Sequence, residues 1–430
     1  MYKSIKHFFP SPFTKLESLP DSRKRRDYSV SELITGVIAM FIFKEGSRNA
    51  FNNDAKEECF KKNYQKIFKR RLPHMDTVDE FLRYLNNDEL EIVKSALVSA
   101  LIEKRVFHKF KFLGKSFVIA IDGTVVATYG RQYCTQCLSK TSKNGVSTYL
   151  HSVLEAKLVT SNGFSISLAT EWLQNDEKSE SFKKQDCELE AFKRLAEKIK
   201  KFFPRLPICI VADSLYPNNG FMEICKQMNW AYIVTLKDGC LKALQRVVAI
   251  KYLVSGILEE NEGNKNQKIL RRYRWMSDLN HAGHPLNYVE CSEQIVDINT
   301  GEVSQKRFVH ITNIEVNALN VVHVSKTGRQ RWKIENEGFN VQKNQGYHLS
   351  HKYSRVSFQA LKNYYQCLQI AHMINQLTER SVTIRELIDQ TKKSTIKHLY
   401  KIAIGLLTFI ELDIEDLKKI DHTDYKIKLC

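Results

Sequence analysis

Two aspartates stand where apolar segments would otherwise continue as buried strands. Asp122 lies inside FVIAIDGTVVAT (117–128), and Asp213 follows the apolar run ICIVA (208–212). Burial of a lone carboxylate is strongly unfavourable unless a cation or hydrogen-bond donors compensate it, so Asp122 requires either a strand-end turn or a metal ion. Carboxylate oxygens are the ligands that Mg²⁺ prefers, and Mg²⁺ keeps several waters for a substrate phosphate. One divalent cation would explain both aspartates.

A third carboxylate is expected from the segment RWKIENEGF. Glu335 is the first choice and Glu337 the competitor, because two residues apart on a helix they point about 200° apart and only one can face a site. Arg331 lies one turn before Glu335, and Lys343 lies about two turns beyond it, so both are candidate contacts for a scissile phosphodiester. The alternative for Arg331 and Glu335 is an ordinary surface ion pair.

This set of residues suits phosphoryl chemistry. A pair of Mg²⁺ ions can activate a water or a 3′ hydroxyl on one side of a phosphorus and stabilise the leaving oxygen on the other. The chain has no GxGxxG after a strand, no GxxxxGK[ST], no GxSxG and no HExxH. Their absence argues against nucleotide-driven and other hydrolase chemistries.

One cysteine pair stands out among ten cysteines without small-scaffold spacing, which suggest reduced thiols rather than a disulfide framework. Cys134 and Cys137 form YCTQC, and His151 is the nearest third ligand for a zinc ion. A structural zinc site needs four ligands, and no fourth is evident. We interpret the pair as ordinary thiols near a turn, with zinc as the alternative.

The charge of the chain predicts a polyanionic partner. Lysine and arginine outnumber acidic residues 66 to 48, which gives a net charge of +18. The cluster RKRR (Arg23, Lys24, Arg25 and Arg26) and the segment KKNYQKIFKRR (61–71) are typical of phosphate contacts, with a solvated helix face as the alternative. Nucleic acid is the commonest such partner.

No membrane segment is expected. The longest apolar stretch, LITGVIAMFIF (33–43), is about half of the roughly 20 residues that a spanning helix needs. The first twenty residues lack the apolar core and small-residue cleavage site of a signal peptide. These observations predict a cytoplasmic protein.

Hydrophobic periodicity predicts a mixed α/β protein with several regions. The pattern is helical from 28 to about 108, with Ser29 or Ser31 and Thr77 as expected N-caps. Segments 117–128, 151–160 and 164–173 then fit three antiparallel strands. A helix at 186–203 capped by Asp186, a buried strand ending at Asp213, a crossover helix and another strand complete a β-β-β-α-β-α-β order.

The remainder divides into an insertion, a returning helix and a tail. Residues 240–325 begin helically, pass through the polar stretch 259–268 and then alternate like strands, which predicts an inserted β-rich module. The expected regions are a helical DNA-binding region (1–113), a core in two parts (114–239 and 326–382) around that insertion, and a helical C-terminal tail (383–430).

Three segments together resemble the acidic blocks of bacterial DDE transposases of the insertion-sequence-four-like group. They are AIDGT, ICIVADSLYPNNGFMEICKQMNWAYIVTLKDG and RQRWKIENEGFNVQK, and the likeness covers about 115 to 375. The resemblance implies a ribonuclease-H-like core with Asp122, Asp213 and Glu335 as metal-binding catalytic residues. Gly328 stands where that group has a tyrosine, and Lys343 comes one residue late after Glu335.

The resemblance implies a DNA transposase that uses Mg²⁺, with Mn²⁺ able to substitute. Such an enzyme binds terminal inverted repeats in double-stranded DNA, cleaves phosphodiester bonds and transfers strands to target DNA, acting as a homodimer on DNA in the bacterial nucleoid. Two alternatives stay open: a ribonuclease-H-like nuclease without strand transfer, and a non-catalytic, domesticated DNA-binding protein.

Overall fold

The computed structural model describes residue 5 and residues 7–9, 14–24, 26–175, 185–250, 256–264, 266–390 and 395–415. The helices are α1 Thr14–Glu17, α2 Val30–Ile42, α3 Arg48–Asp54, α4 Glu58–Phe68, α5 Met75–Tyr84, α6 Asn87–Glu103, α7 Glu188–Phe202, α8 Asn219–Met228, α9 Lys242–Ile250, α10 Val321–Gly328, α11 Val341–Asn344, α12 Phe358–Glu379, α13 Val382–Gln390 and α14 Ile396–Phe409. None of these helices combines the length and apolar character needed to cross a bilayer.

Ten strands form one sheet, so the mixed α/β expectation is confirmed. The strands are β1 Phe117–Tyr129, β2 Leu138–Thr141, β3 Ser147–Val159, β4 Ser165–Leu173, β5 Ile208–Ala212, β6 Ala231–Thr235, β7 Gly256–Gly263, β8 Gln267–His281, β9 His284–Asp297 and β10 Val303–Thr312. Their order across the sheet is β2-β3-β1-β5-β6-β10-β9-β8-β7, and β4 pairs with another stretch of β3.

The predicted strand pairing of the first half is confirmed. Strands β1, β3 and β4 pair antiparallel, as expected for strands joined by short connections. Strands β1, β5 and β6 pair parallel, and helices α7 and α8 make the crossovers. Strand β2 was not anticipated from sequence, because its LSKT residues face solvent after the first and carry no alternating apolar pattern.

The β-rich region predicted at 240–325 continues the main sheet. Strand β10 pairs antiparallel with β6, with His310 opposite Thr235 and Thr312 opposite Ile233. The polar stretch at 259–268 is also largely strand, because cross-strand ion pairs replace apolar packing there. Glu259 pairs with Arg272 at 2.7 Å, and Glu262 pairs with Arg271.

The helical N-terminal region packs around a long buried helix from the C-terminal half. Helix α12 contacts α2, α5, α6 and β4, and nearly all of its side chains are buried. The N-terminal helices and the sheet therefore share one core. The change from helix to sheet falls between the short 3₁₀ turn at His108–Phe110 and the start of β1.

Helix caps show where local sequence signals succeed and fail. Of the two predicted caps for α2, Ser29 is the one used, and it forms a capping box with Glu32. The expected cap Thr77 is wrong, because His74 caps α5 by accepting from the Asp76 amide. Asp186 is also not a cap: α7 begins after Cys187, and the Asp186 carboxylate instead binds Arg194 at 2.6 Å.

The returning helix is confirmed but is not uniformly α-helical. After α10 the chain forms a 3₁₀ turn at Arg329–Arg331 and then a π-helical segment at Ile334–Asn340, before one last α turn at α11. A π-helical turn holds an extra residue, so side chains on either side of it are rotated relative to an α-helix, and such turns are frequent at functional sites.

Replacing Ser29 with alanine should destabilise the protein by about 1 kcal/mol, because the amide of Glu32 loses its hydrogen-bond acceptor at the start of α2. Urea denaturation followed by circular dichroism measures this change. The matched control is Ser22→Ala, an exposed serine before the helix, which should change the free energy of unfolding little. Equal effects of the two variants would contradict the capping role.

Candidate active site

The parallel pairing of β1 and β5 brings Asp122 and Asp213 to the same place in the sheet. Ala120 is opposite Val211 in this pairing, and two positions further along each chain lie Asp122 and Asp213. Strands in a sheet lie about 4.8 Å apart, and residues in register share a face. The parallel pairing of the two strands therefore puts both aspartates near the same edge of this part of the sheet. Asp213 follows β5 directly and accepts a hydrogen bond from the Leu215 amide at 2.8 Å.

Glu335 and Arg331 complete the cluster beside Asp122. The Arg331 guanidinium lies 2.7 Å from a Glu335 carboxylate oxygen and 3.6 Å from an Asp122 oxygen. The Arg331 side chain is 8% exposed and the Glu335 side chain is 38% exposed, so the pair is partly buried, unlike the surface ion pair considered as the alternative. Arg331 thus links carboxylates that are more than two hundred positions apart in the chain.

Glu337 points elsewhere, which separates the two candidate glutamates by geometry. Its carboxylate pairs with Lys333 at 3.4 Å. It also lies beside Arg380 at the turn of Gly163, between β3 and β4. Within the π-helical segment, Glu335 is thus the glutamate that faces Asp122.

A fourth carboxylate, Glu188, was missed from sequence. Glu188 is the first residue of α7, and its carboxylate occupies the space next to Gly123, where an added Cβ would come within 2.4 Å of Oε1. It interacts electrostatically with both Asp122 and Asp213. The available signal was the glycine directly after Asp122, which leaves room for a side chain from another element.

Burial and like charges make this cluster unfavourable when fully ionised. Burial raises the pKa of Asp122 to about 7; Arg331 opposes this rise, and Glu335 adds to it through its charge and a hydrogen bond between the carboxyl groups. Burial, followed by the charge of Asp213, also raises the pKa of Glu188. Burial lowers the pKa of Lys343, and the negative charge of the nearby Asp122 opposes this change.

Tyr216 adds a polar group to the floor of the cluster. Its side chain is 1% exposed, and its hydroxyl has no hydrogen-bond partner among the described residues. Burial, followed by the charges of Glu188, Asp122 and Asp213, raises its pKa well above the ordinary value. A buried hydroxyl without a partner is unfavourable, and a bound water or ion ligand would satisfy it.

A cavity of about 430 Å³ opens beside Asp213. Its lining includes Lys237, Arg329, Arg331 and Trp332. Positively charged side chains and an aromatic ring therefore lie in the same cavity as the Asp213 carboxylate. Trp332 is half exposed, and the Arg331 guanidinium lies 4.3 Å from its ring centroid. Cationic and aromatic walls beside carboxylates suit a phosphodiester with an attached base.

The residues of the predicted basic cluster RKRR differ in their exposure to solvent. Arg23 is internal: it binds Asp21 and the carbonyl of Tyr28 and lies over the ring of Phe81, so the structure does not present it to a phosphate. Lys24 and Arg26 are exposed, and Arg26 also donates hydrogen bonds to the carbonyls of Asp21 and Arg23. Arg25 lies outside the described residues.

His151, the predicted third ligand, lies next to the thiols of Cys134 and Cys137. The sulfurs of Cys134 and Cys137 are 3.4 Å apart, and they lie 3.6 and 3.5 Å from Nε2 of His151. All cysteines within the described residues are free thiols. This group is the one cluster of three or more ligand residues with metal-binding spacing found in the described part of the chain.

A scan of the chain against protein-family models gave no match, and a search of curated proteins gave no relative. The chemistry of the site therefore follows from its own residues. The carboxylates of Asp122, Asp213, Glu188 and Glu335 and the hydroxyl of Tyr216 offer oxygen donors, the ligand type that hard divalent cations such as Mg²⁺ prefer. In the described part of the chain no three of these carboxylates have the spacing of a formed metal site.

Replacing Asp122 with asparagine should stabilise the metal-free protein at pH 8. The folded-state pKa of about 7 lies above the unfolded value, so the ionised aspartate destabilises the fold increasingly as the pH rises from about 4 to 7. Neutral asparagine removes that penalty and should gain about 1 to 3 kcal/mol at pH 8 in a chelator, with little gain at pH 4.

Urea denaturation at both pH values measures this effect, and Glu337→Gln is the control because Glu337 lies outside the cluster. A loss of stability for Asp122→Asn at pH 8, or a gain that is equal at both pH values, would contradict the described electrostatics.

Proposed function

We propose that this protein is a metal-dependent DNA transposase of the DDE type. The observation that carries the proposal is that Arg331 joins Asp122 to Glu335, while Asp213 follows the neighbouring parallel strand at the position that corresponds to Asp122. A divalent cation shared by these carboxylates would account for three acidic segments near one edge of the sheet. Glu188 joins this set as a fourth acidic residue.

The arrangement of elements supports a ribonuclease-H-like core. Apart from the short strand β2, the chain follows the order β-β-β-α-β-α-β through β6, with β1 between β3 and β5. The glutamate helix follows the β-rich extension, which agrees with the order of acidic blocks in the resemblance. The continuous sheet gives that helix a rigid base.

Two departures from the transposase signature have physical explanations. A tyrosine at Gly328 would clash, since even an added Cβ would come within 2.5 Å of the His310 ring and 2.9 Å of Ile233. The π-helical segment Ile334–Asn340, which contains Glu335 and ends before Lys343, takes up one extra residue. The late position of Lys343 is therefore compatible with its interaction with Asp122.

Each residue then has a defined task. Asp122, Asp213 and Glu335 would hold Mg²⁺, which would supply Lewis acidity toward the phosphate and a more acidic water. Arg331 binds both Asp122 and Glu335, and once a cation neutralised them it would be free to bind a phosphate oxygen. Lys343 places a second positive charge near Asp122, and the exposed Trp332 ring offers a stacking surface for a base.

The net charge of +18 supports double-stranded DNA as the partner. Transposition requires two ends to be joined in one complex, so we propose that two copies of the chain act as a homodimer on DNA. The products would be cleaved element ends whose 3′ hydroxyls are transferred to target DNA.

Asp122→Asn, Asp213→Asn and Glu335→Gln should each lower DNA cleavage by roughly 10³-fold or more, because each removes transition-state stabilisation by the metal site. The assay uses purified protein, Mg²⁺ and linear DNA that carries both inverted repeats from the DNA flanking the gene. Glu188→Gln should lower cleavage as well.

Glu337→Gln is the matched control, from the same helical segment but facing away from Asp122, and should retain cleavage. Full activity in the three variants would contradict the site. Cleavage without joining of a pre-cut end to a target plasmid would favour a nuclease, and binding without any cleavage would favour a non-catalytic DNA-binding protein.

Lys24→Ala and Arg26→Ala should weaken DNA binding and each reduce the salt slope by about 1, because each exposed cation releases about one counterion on contact with a phosphate. Arg23→Ala should instead lower the melting temperature and leave the slope unchanged, since Arg23 is used internally. Fluorescence anisotropy at several salt concentrations measures the slopes. Unchanged slopes for both exposed residues would contradict DNA contact by this segment.

A further inference from the structure

The group formed by Cys134, Cys137 and His151 has the dimensions of a zinc site. In a tetrahedral site with Zn–S near 2.3 Å and Zn–N near 2.0 Å, two sulfurs lie about 3.8 Å apart and sulfur lies about 3.5 Å from nitrogen. The observed sulfur separation is 3.4 Å, and the sulfur–nitrogen separations are 3.6 and 3.5 Å. A disulfide would require a sulfur separation near 2.05 Å.

The three ligands are held in place by the surrounding fold. His151 lies on β3, is fully buried and stacks on the ring of Phe358 with centroids 3.6 Å apart. The turn that carries the cysteines is closed by a hydrogen bond from the Cys137 amide to the Cys134 carbonyl at 3.3 Å. Asn175, beyond the end of β4, fastens this turn by donating from Nδ2 to the Cys137 carbonyl at 2.8 Å.

The imidazole also lacks the partners that a buried polar ring requires. Its Nδ1 has no hydrogen-bond partner among the described residues, and its Nε2 faces only the two sulfurs, which are weak partners. Burial of an unsatisfied polar group is unfavourable. A metal bond would give Nε2 a strong partner in place of two weak ones, since neutral imidazole and thiolate sulfur are ligands that zinc prefers.

We propose that Cys134, Cys137 and His151 bind one Zn²⁺, with a water molecule as the fourth ligand at the side where Cys134 is partly exposed. The ion would fasten the segment 130–137, which connects β1 to β2, onto β3. That segment leads into the exposed β2–β3 hairpin, so the zinc would fix the base of this hairpin. This site is independent of the carboxylate cluster.

The test is the zinc content of untagged full-length protein after gel filtration, measured by elemental mass spectrometry. The expected result is one zinc per chain, lost in Cys134→Ser and His151→Gln. Cys59→Ser, a partly buried cysteine on α4, is the control and should retain the full zinc content. No zinc in the wild type, or full zinc content in both site variants, would overturn the proposal.

A second measurement covers variants that fail to fold. Wild-type protein stripped with a chelator is titrated with Co²⁺ and then with Zn²⁺ against a competing dye. Thiolate-to-cobalt charge-transfer absorption and a zinc dissociation constant of about 10⁻⁸ M or below support the site. A Cys134–Cys137 disulfide in freshly purified protein, or micromolar binding that indicates an adventitious ion only, would overturn it.

Discussion

The repulsion among clustered carboxylates is the constraint on which the candidate active site depends. Arg331, whose side chain is almost fully buried, binds Asp122 and Glu335, and Glu188 adds its charge to those of Asp122 and Asp213. One guanidinium cannot balance four negative charges, which is why burial and neighbouring charge raise the pKa of Asp122 to about 7. A divalent cation would relieve this imbalance and allow Arg331 to bind another anion. The strain in the cluster is thus consistent with a binding site rather than with a stabilising salt bridge.

The sheet supplies the rigidity that such a cluster needs. Strands β1 and β5 fix Asp122 and Asp213 in register, and the pairing of β10 with β6 carries the same sheet through the β-rich region to the helix that bears Glu335. Gly328 is the last residue of α10, and its lack of a side chain allows the end of α10 to lie against His310 and Ile233. The glutamate is therefore positioned by continuous backbone pairing although it is distant from both aspartates in the chain.

Much of this could be predicted from sequence where a local pattern determines the result. The apolar runs before Asp122 and Asp213 predicted both strands, and Ser29, offered with Ser31 as a cap, predicted the start of α2. Glu188 could not be found in this way, because its role depends on the space at Gly123, which belongs to another element. The strand at Gly256–Gly263 was missed for a similar reason, since its partners are arginines on the next strand. The π-helical turn after Arg331 has no sequence period that would reveal it.

The most direct measurement is anomalous diffraction from a crystal soaked in Mn²⁺. The account predicts a manganese peak between the carboxylates of Asp122 and Asp213, with Glu335 turned toward it and Arg331 displaced from at least one of its partners. An empty cluster at saturating Mn²⁺, with Arg331 still bridging Asp122 and Glu335, would contradict it.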